Sequence, residues 1–491
     1  MSLKVAIVNP TTKSNISVIR TGRCQSRCLP GIGLWPPIGL AQLATVVRRV
    51  EGVSEVWIYD AEINGDFDKM IQSIINFCPD VLFVNCTTPT IYDDLELARE
   101  IKIQMPYIFT AFFGTHATAM PEDIINKNEY KFVDCVLIGD PEITAAEICE
   151  NYAGKGKAGL NEIDGIAIYR SPGDVFYTNP RMQPADLDSL GLPSRDLLEN
   201  HKYRLSYNGK PFTIIQTSRG CHKRCSFCSS GMFSQKINFR SVSSVLSEIE
   251  ETVKKYSIID FMFLSDTFTA SKKWVQELCE GIISRQLKIR WISNSRADSI
   301  DEATAKIMKK AGCWIVSLGI ESASNEILEK ANKEISIENV LNAVKVFKEL
   351  KIKVIGYFIF GLPGETKESI RNTIRFSCNI PIDYAYFYTA TPFPGTKFFE
   401  EAQKNGWLKT LDWRRYFHGE SDVIEYENLS SDEILKAVRE AYKSFYFRPG
   451  KIINYIKDFR TPIMFTKYIK AGVDVIKKIQ PLYNIKYFKK G

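Results

Sequence analysis

At 491 residues, with 45% hydrophobic and 25% charged positions, the chain has material for two or three hydrophobic cores, which excludes a disordered polypeptide. Its twelve cysteines follow a strand-like start, MSLKVAIVNP, and no secretory leader, so free or metal-bound thiols in a reducing compartment are expected rather than a disulfide scaffold. The net charge of +7 is concentrated: residues 451–491 carry ten Lys or Arg against Asp458 and Asp474, a tail of +8 on a remainder of −1.

Such a tail reads either as a solvated surface or as a contact for an anionic partner, a membrane surface or an anionic substrate; nucleic acid is not favoured. No run of about eighteen apolar residues is present. The expected location is the cytoplasm, with membrane association through the tail as the alternative.

Residues 1–150 alternate short apolar runs (VAIVNP, VWIYD, VLFVNC, IFTAFFG, VDCVLIGD) with amphipathic stretches, among them LAQLATVVRRV, 67–77 and LELAREIK. This predicts a parallel sheet wrapped by helices, whose ligands sit at the carboxyl ends of the strands. Asn9, Cys86 to Thr88, Gly114 to His116 and Gly139 to Glu142 occupy those ends. Residues 151–205 read as a connector with one hairpin, GIAIYRSPGDVFYT. A second series follows within 206–430: FTIIQTS, FMFLSD, IRWISNS, WIVSLGIES, VIGYFIFGLPGE and YAYFYTATPFPG, with helical segments between them. Six strand-then-helix units predict a full or partial barrel with its active site at the carboxyl mouth. Residues 431–491 read as helices rich in Tyr, Phe and Lys.

Directly after the first barrel strand stands Ser-Arg-Gly-Cys221-His-Lys-Arg-Cys225-Ser-Phe-Cys228. Three thiolates on one short loop can ligate three irons of a cubic cluster and leave the fourth open to substrate. Zinc is the rival, but it wants a fourth ligand, and His222 lies inside the tight loop. Cys24 and Cys28, in the loop after the first strand, read as an accessory metal site or as a structural or substrate loop.

From about 205 to 400 the sequence resembles the radical S-adenosylmethionine (SAM) superfamily, whose cluster motif Cys221, Cys225 and Cys228 match in full. The resemblance implies a [4Fe–4S] cluster whose open iron binds the methionine end of SAM, one-electron cleavage to a 5′-deoxyadenosyl radical, and an electron donor such as ferredoxin or flavodoxin. It implies that Asp266 accepts from the methionine ammonium and that Glu321 bonds the ribose hydroxyls. Arg296 would grip the methionine carboxylate with two parallel bonds. Gly356 and Gly361 resemble the adenine-side strand, and Phe393, in Thr391-Pro-Phe-Pro-Gly395, its apolar neighbour.

The first domain resembles that of the cobalamin-binding subgroup, which implies that Thr87, Thr88, Gly114 and His116 border the cofactor's tail. The Asp-x-His-x-x-Gly loop that ligates cobalt from below is absent. The predicted fold class is α/β: an N-terminal doubly wound Rossmann-like cobalamin-binding domain, then a partial (β/α)6 TIM-like radical SAM barrel, then a helical C-terminal tail. The implied function is cobalamin-assisted C-methylation, or ring formation and other carbon–carbon chemistry, at an unactivated carbon of a small-molecule, porphyrin-like or lipid substrate. A tRNA- or protein-modifying radical enzyme, and a non-catalytic cobalamin or redox sensor, are the alternatives.

Overall fold

The computed structural model describes residues 2–16, 18–21, 25–27, 34–126, 132–171 and 173–451. Cys24, Cys28 and the basic tail after Lys451 lie outside the described residues, and with them the readings made above for those positions.

In the first domain, β1 (Leu3–Asn9), β2 (Val53–Asp60), β3 (Val81–Cys86), β4 (Phe109–Gly114) and β5 (Cys135–Leu137) form a parallel sheet in the order 2-1-3-4-5. The runs VLFVNC and FTAFFG are apolar at consecutive rather than alternate positions because helices cover both faces of the sheet. The order reverses between β1 and β3, which opens the crevice typical of doubly wound sheets at their carboxyl ends. The hairpin read as part of a connector, β6 (Ile166–Ser171) and β7 (Asp174–Tyr177), extends this sheet: β6 pairs antiparallel with β5 through Val136–Ala167 and Leu137–Ile166.

The second domain opens with β8 (Phe212–Gln216), followed by a two-stranded ribbon of β9 (Ser218–Arg219) and β10 (Asn238–Phe239). Five more strands complete a six-stranded, all-parallel sheet in chain order: β11 (Asp260–Leu264), β12 (Arg290–Ser295), β13 (Cys313–Glu321), β14 (Lys353–Phe360) and β15 (Tyr384–Thr389). Among the described residues β8 and β15 are not paired, yet the sheet curves enough to bring them near each other. The ring of Tyr207, which leads into β8, lies 5.1 Å from that of Tyr384 of β15 with the planes tilted by 44°, and its hydroxyl lies 3.1 Å from that of Tyr386. The outer helices begin where local chemistry says they should: the side chains of Ser241, Ser271, Asp301, Ser336, Thr366 and Ser430 each cap a helix N-terminus.

The free edge of β15 is covered by the helix Ser431–Tyr446. The Tyr442 hydroxyl accepts from the Phe387 N–H at 3.2 Å, while the Tyr446 hydroxyl accepts from the Ala385 N–H at 3.2 Å and donates to its carbonyl at 2.9 Å. Tyrosines that read in sequence as part of an aromatic, lipid-seeking tail are thus committed to an open sheet edge. Tyr446→Phe should lower stability by about 1–3 kcal/mol, because it strands both backbone groups; thermal unfolding of purified protein measures this. Among the described residues no helix is long and apolar enough to cross a membrane.

The two domains share cores. Ile214, Ile292, Ile315 and Ile355 of the barrel strands join an apolar cluster with Val5, Ile7 and Tyr203, and Phe393, Trp413 and Tyr416 join the core of the first domain.

Candidate active site

The cluster loop is held at its neck and on its flanks. The ribbon pairs Arg219 with Asn238, and the Cys221 N–H donates to the Ser234 carbonyl at 3.2 Å. Gly220 has φ +90°, and a Cβ there would lie 2.1 Å from the Lys236 carbonyl oxygen, so only glycine lets the two sides of the neck approach. On one flank Ser226 N–H donates to Ala331 O and Asn332 Nδ2 to Arg224 O; on the other, Phe398 N–H donates to Ser226 O. Cys221 is buried, and Cys225 and Cys228 are half-buried.

The strand ends gather around this loop. Asp266, just past β11, accepts from Ser230 Oγ at 3.0 Å, which ties it to the cysteine loop, while Asn294 Nδ2 donates to Ser265 O at 2.6 Å and joins the ends of β11 and β12. Glu321, at the end of β13, has φ +64°, a left-handed conformation that a Glu holds only when its surroundings impose it. Its Oε1 accepts from Lys333 Nζ at 2.6 Å, and both residues are buried. A Cβ on Gly319 would fall 2.4 Å from Glu321 Oε1 and 2.7 Å from Lys333 Nζ, so the glycine makes room for this ion pair.

Arg296 follows β12 as expected but is bonded otherwise than expected. Its Nε and Nη2 bond the two Asp298 oxygens at 3.0 Å each, and Nη2 also donates to Lys333 O at 2.7 Å. The fork that would grip a carboxylate is used inside the protein; Nη1 lies 3.9 Å from Cys225 Sγ. Burial pushes the Cys225 thiol up, against the pull of Lys333 and Arg296 in the opposite direction. Three thiols on one loop with two buried cations beside them fit an anionic iron–sulfur cluster. Sequence reading missed Lys333 because ANKEIS reads as a solvated helix end, and only its 7% exposure marks it.

The glycines further along are explained by packing. A Cβ on Gly356 would meet Ile382 at 2.9 Å and Ile320 at 3.0 Å, on the helix-facing side of β14 rather than facing a base. Gly361 has φ +90°, and its missing side chain admits Ile434 of the covering helix. The Gly361 and Leu362 N–H groups donate to Glu365 Oε2 at 2.6 and 3.3 Å, and burial pushes that carboxyl up to about 8. The folded state therefore keeps a proton that the unfolded chain releases near 4.5. The contribution of Glu365 to stability is full below that value and is lost as the pH rises toward 8. Glu365→Gln, whose amide oxygen still accepts from Gly361, should flatten the decline of the thermal midpoint between roughly pH 5 and 8.

At the carboxyl ends of the first sheet, Thr87 Oγ1 and Thr90 Oγ1 lie 2.8 Å apart, and the Thr88 N–H donates to Gln25 Oε1 at 2.8 Å. His116 is buried, with Nδ1 3.3 Å from Thr88 Oγ1 and Nε2 3.4 Å from Asp123 Oδ2, and it sits edge-on to Trp413. Gly114 has φ +115°, and a Cβ there would lie 2.4 Å from Cys86 O. Asn9, Asn85, Thr87 and Thr88 are buried at these strand ends and bond within the protein; the Thr115 hydroxyl beside Gly114, buried with no hydrogen-bond partner among the described residues, fits a polar arm of a ligand, while the described part of the loop after β1 offers no imidazole for a metal. Phe393 is buried against the first domain, 6.2 Å from the His418 ring.

The two carboxyl ends face each other. His418, from the segment after β15, donates its N–H to Gln25 O, and Gly395 stands where a Cβ would touch Met232 of the cluster loop and Ala119 of the first domain. A three-thiolate loop at the mouth of a parallel barrel, closed over by a doubly wound domain, defines the cobalamin-dependent radical SAM enzymes. Residues 215–377 match the model of the radical SAM superfamily and residues 32–149 that of the B12 binding domain.

The chain belongs to this family, with a [4Fe–4S] cluster, SAM and cobalamin as its cofactors and methyltransferases and cyclases as its members. It is 35% identical to an uncharacterized methyltransferase of Pyrococcus horikoshii over 92% of this chain and 95% of the relative. It is 30% identical to the anaerobic magnesium-protoporphyrin IX monomethyl ester cyclase of Rubrivivax gelatinosus over 84% of this chain and 74% of the relative. Its fold is similar to that of the radical SAM methyltransferase TsrM from Kitasatospora setae, solved with cobalamin and a [4Fe–4S] cluster, with a TM-score of 0.65 at 20% identity, covering 84% of this chain and 79% of that one.

Proposed function

We propose that the protein transfers a methyl group to an unactivated carbon of a large, mainly apolar substrate, a porphyrin-like ring system or a polycyclic lipid. The observation that carries this reading is the meeting of the two carboxyl mouths at Gly395, Met232 and Ala119, with Gln25 bridging His418 and Thr88. A substrate held between the two mouths, beside this packed contact, reaches both the cluster side and the crevice side without leaving the protein. When bound, the cofactors supply one reducing electron, a carbon radical and a transferable methyl group.

The chain's own residues bind and orient. Cys221, Cys225 and Cys228 hold the cluster, Asp266 accepts from the methionine ammonium, and Glu321 accepts from the ribose hydroxyls. Lys333, rather than the committed Arg296, meets the methionine carboxylate, and Arg296 lends charge to the Cys225 side. Thr87, Thr88, Gly114 and His116 border the cobalamin. An acidic one-electron donor such as ferredoxin or flavodoxin supplies the electron.

The inner face of the barrel supports the substrate class. Tyr357, Tyr386 and Tyr388 stand with ring centroids 5.7–6.4 Å apart, and Tyr388 stacks on His418 at 4.3 Å with the planes 3° apart. Flat aromatic faces of this kind suit a planar or polycyclic guest. The test is anaerobic incubation of cobalamin-loaded enzyme with reductant, methyl-deuterated SAM and separate lipid and pigment extracts, read by mass spectrometry. Label in one product together with 5′-deoxyadenosine supports methylation, and a product that has lost hydrogen without gaining label assigns ring formation instead. Deoxyadenosine with neither product nor corrin retention sinks the proposal.

A further inference from the structure

The loop Gly139-Asp140-Pro141-Glu142 sits at a strand end, where a ligand contact is the natural expectation. Two of its side chains are instead turned to the other domain. Arg219 donates to both Glu142 oxygens, at 2.6 and 3.1 Å, and lies 3.3 Å from Asp140 Oδ2. Arg219 is 9% exposed and Glu142 2%. A guanidinium removed from water to that degree is held by its partners' geometry, because a buried cation that slips from its carboxylates has nothing to replace them.

The position of Arg219 gives this grip its meaning. It is one residue from Gly220 and two from Cys221, on the first strand of the ribbon from which the whole cysteine loop springs. The second strand is tied to the same point: Asn238 Nδ2 donates to Gln183 Oε1 at 3.2 Å, and Gln183 Nε2 donates to Asp140 Oδ2 at 2.8 Å. Both strands of the neck therefore end on Asp140 and Glu142 of the first domain.

From there the contacts continue inward. The Gly139 N–H donates to Thr118 Oγ1 at 3.1 Å. Thr118 lies on the short helix Thr115–Ala119 after Gly114, the helix whose His116 lies 3.3 Å from Thr88. One line of hydrogen bonds and short covalent steps thus leads from the strand-end crevice to the first cluster thiol.

We propose that Arg219, gripped by Glu142 and Asp140, is a positioning residue that fixes the cluster loop to the first domain, so that filling the crevice changes the setting of the cluster. The inference rests on cobalamin occupying that crevice. Its physical basis is that the ribbon itself is only two residue pairs long, so that, beside the Cys221 to Ser234 bond and the flanking bonds of the loop, the clamp from the first domain contributes to the orientation of the neck.

The test compares the electron paramagnetic resonance spectrum and the midpoint potential of the reduced cluster with and without cobalamin, in reconstituted full-length protein. Wild type should show a shift on adding cobalamin. Glu142→Gln and Arg219→Lys, which keep a hydrogen bond but lose the bidentate ion pair, should keep iron content and lose most of that shift. Thr118→Val cuts the same line without touching a buried charge, and it should reduce the shift even if the other two variants fold poorly. An equal shift in wild type and Thr118→Val, or no shift in wild type that retains corrin, overturns the inference. Wild type that retains no corrin overturns the functional proposal beneath it, so the two failures are separable.

Discussion

Cys225→Ala should abolish SAM cleavage, lowering 5′-deoxyadenosine formation at least about 1000-fold, a loss of roughly 4 kcal/mol or more in transition-state stabilisation. The variant should also lose most of its iron and the visible absorbance of thiolate-bound iron. Cys225 is the half-buried middle cysteine of a loop whose fold rests on other groups: the β9–β10 ribbon, the Cys221 to Ser234 bond, and the bonds from Ser226 to Ala331 and from Phe398 to Ser226. Its thiol fills no core, so the apo forms of variant and wild type should unfold within about 2 °C of each other. Cys279 provides the contrast. It is packed in the outer barrel core, and burial pushes its thiol up to about 12. Cys279→Ala should lose about 1–2 kcal/mol of stability through the cavity it leaves, with iron content and cleavage unchanged. If Cys225→Ala keeps both iron and cleavage, the thiolate loop is not the cluster site.

The second large effect is expected at Lys333. Its ammonium lies 2.6 Å from Glu321 Oε1, and its charge reaches Cys225. With the Arg296 fork turned to Asp298, Lys333 is the cation proposed above to meet the methionine carboxylate, from its place beside Glu321. Lys333→Met should reduce kcat/KM for SAM by about 100-fold, near 2.7 kcal/mol, with most of the change in KM. It should also cost about 3–5 kcal/mol of stability, because Glu321 is left buried without its partner. The double variant Lys333→Met/Glu321→Gln, compared with Glu321→Gln alone, separates the two roles: stability should return while SAM binding stays weaker than in Glu321→Gln. Full recovery of cleavage in the double variant would make Lys333 a purely structural partner of Glu321.

Much of the fold was legible because its signals are local. Each of the eleven parallel strands lies within an apolar run, and the barrel strands alternate with helices that announce their starts by Ser, Thr or Asp. The cysteine triplet is legible for the same reason, since its three cysteines sit on one loop. Roles assigned to single polar residues at strand ends were less secure. Arg296 lies at the end of β12 beside the cluster loop, as expected, but its guanidinium is taken by a carboxylate two positions along the chain, an Arg-x-Asp pairing visible in the sequence and easily overlooked. Gly356 was read as an approach to a ligand, and its empty side is filled by Ile320 and Ile382.

What the sequence determined by itself is the pair of α/β domains, the cysteine loop and the chemistry that three thiolates and an open iron imply, because periodicity and ligand spacing act over a few residues. Tertiary structure decided the rest. Lys333 is one lysine among many until it is buried beside Cys225, Tyr442 and Tyr446 are a basic-aromatic tail until β15 leaves an edge to cover, and Arg219 meets Glu142 across 77 positions. The physical reason is common to all three: a charge or hydroxyl acquires a role from loss of water and from the partner that replaces it, and both are set by long-range packing that local pattern does not record.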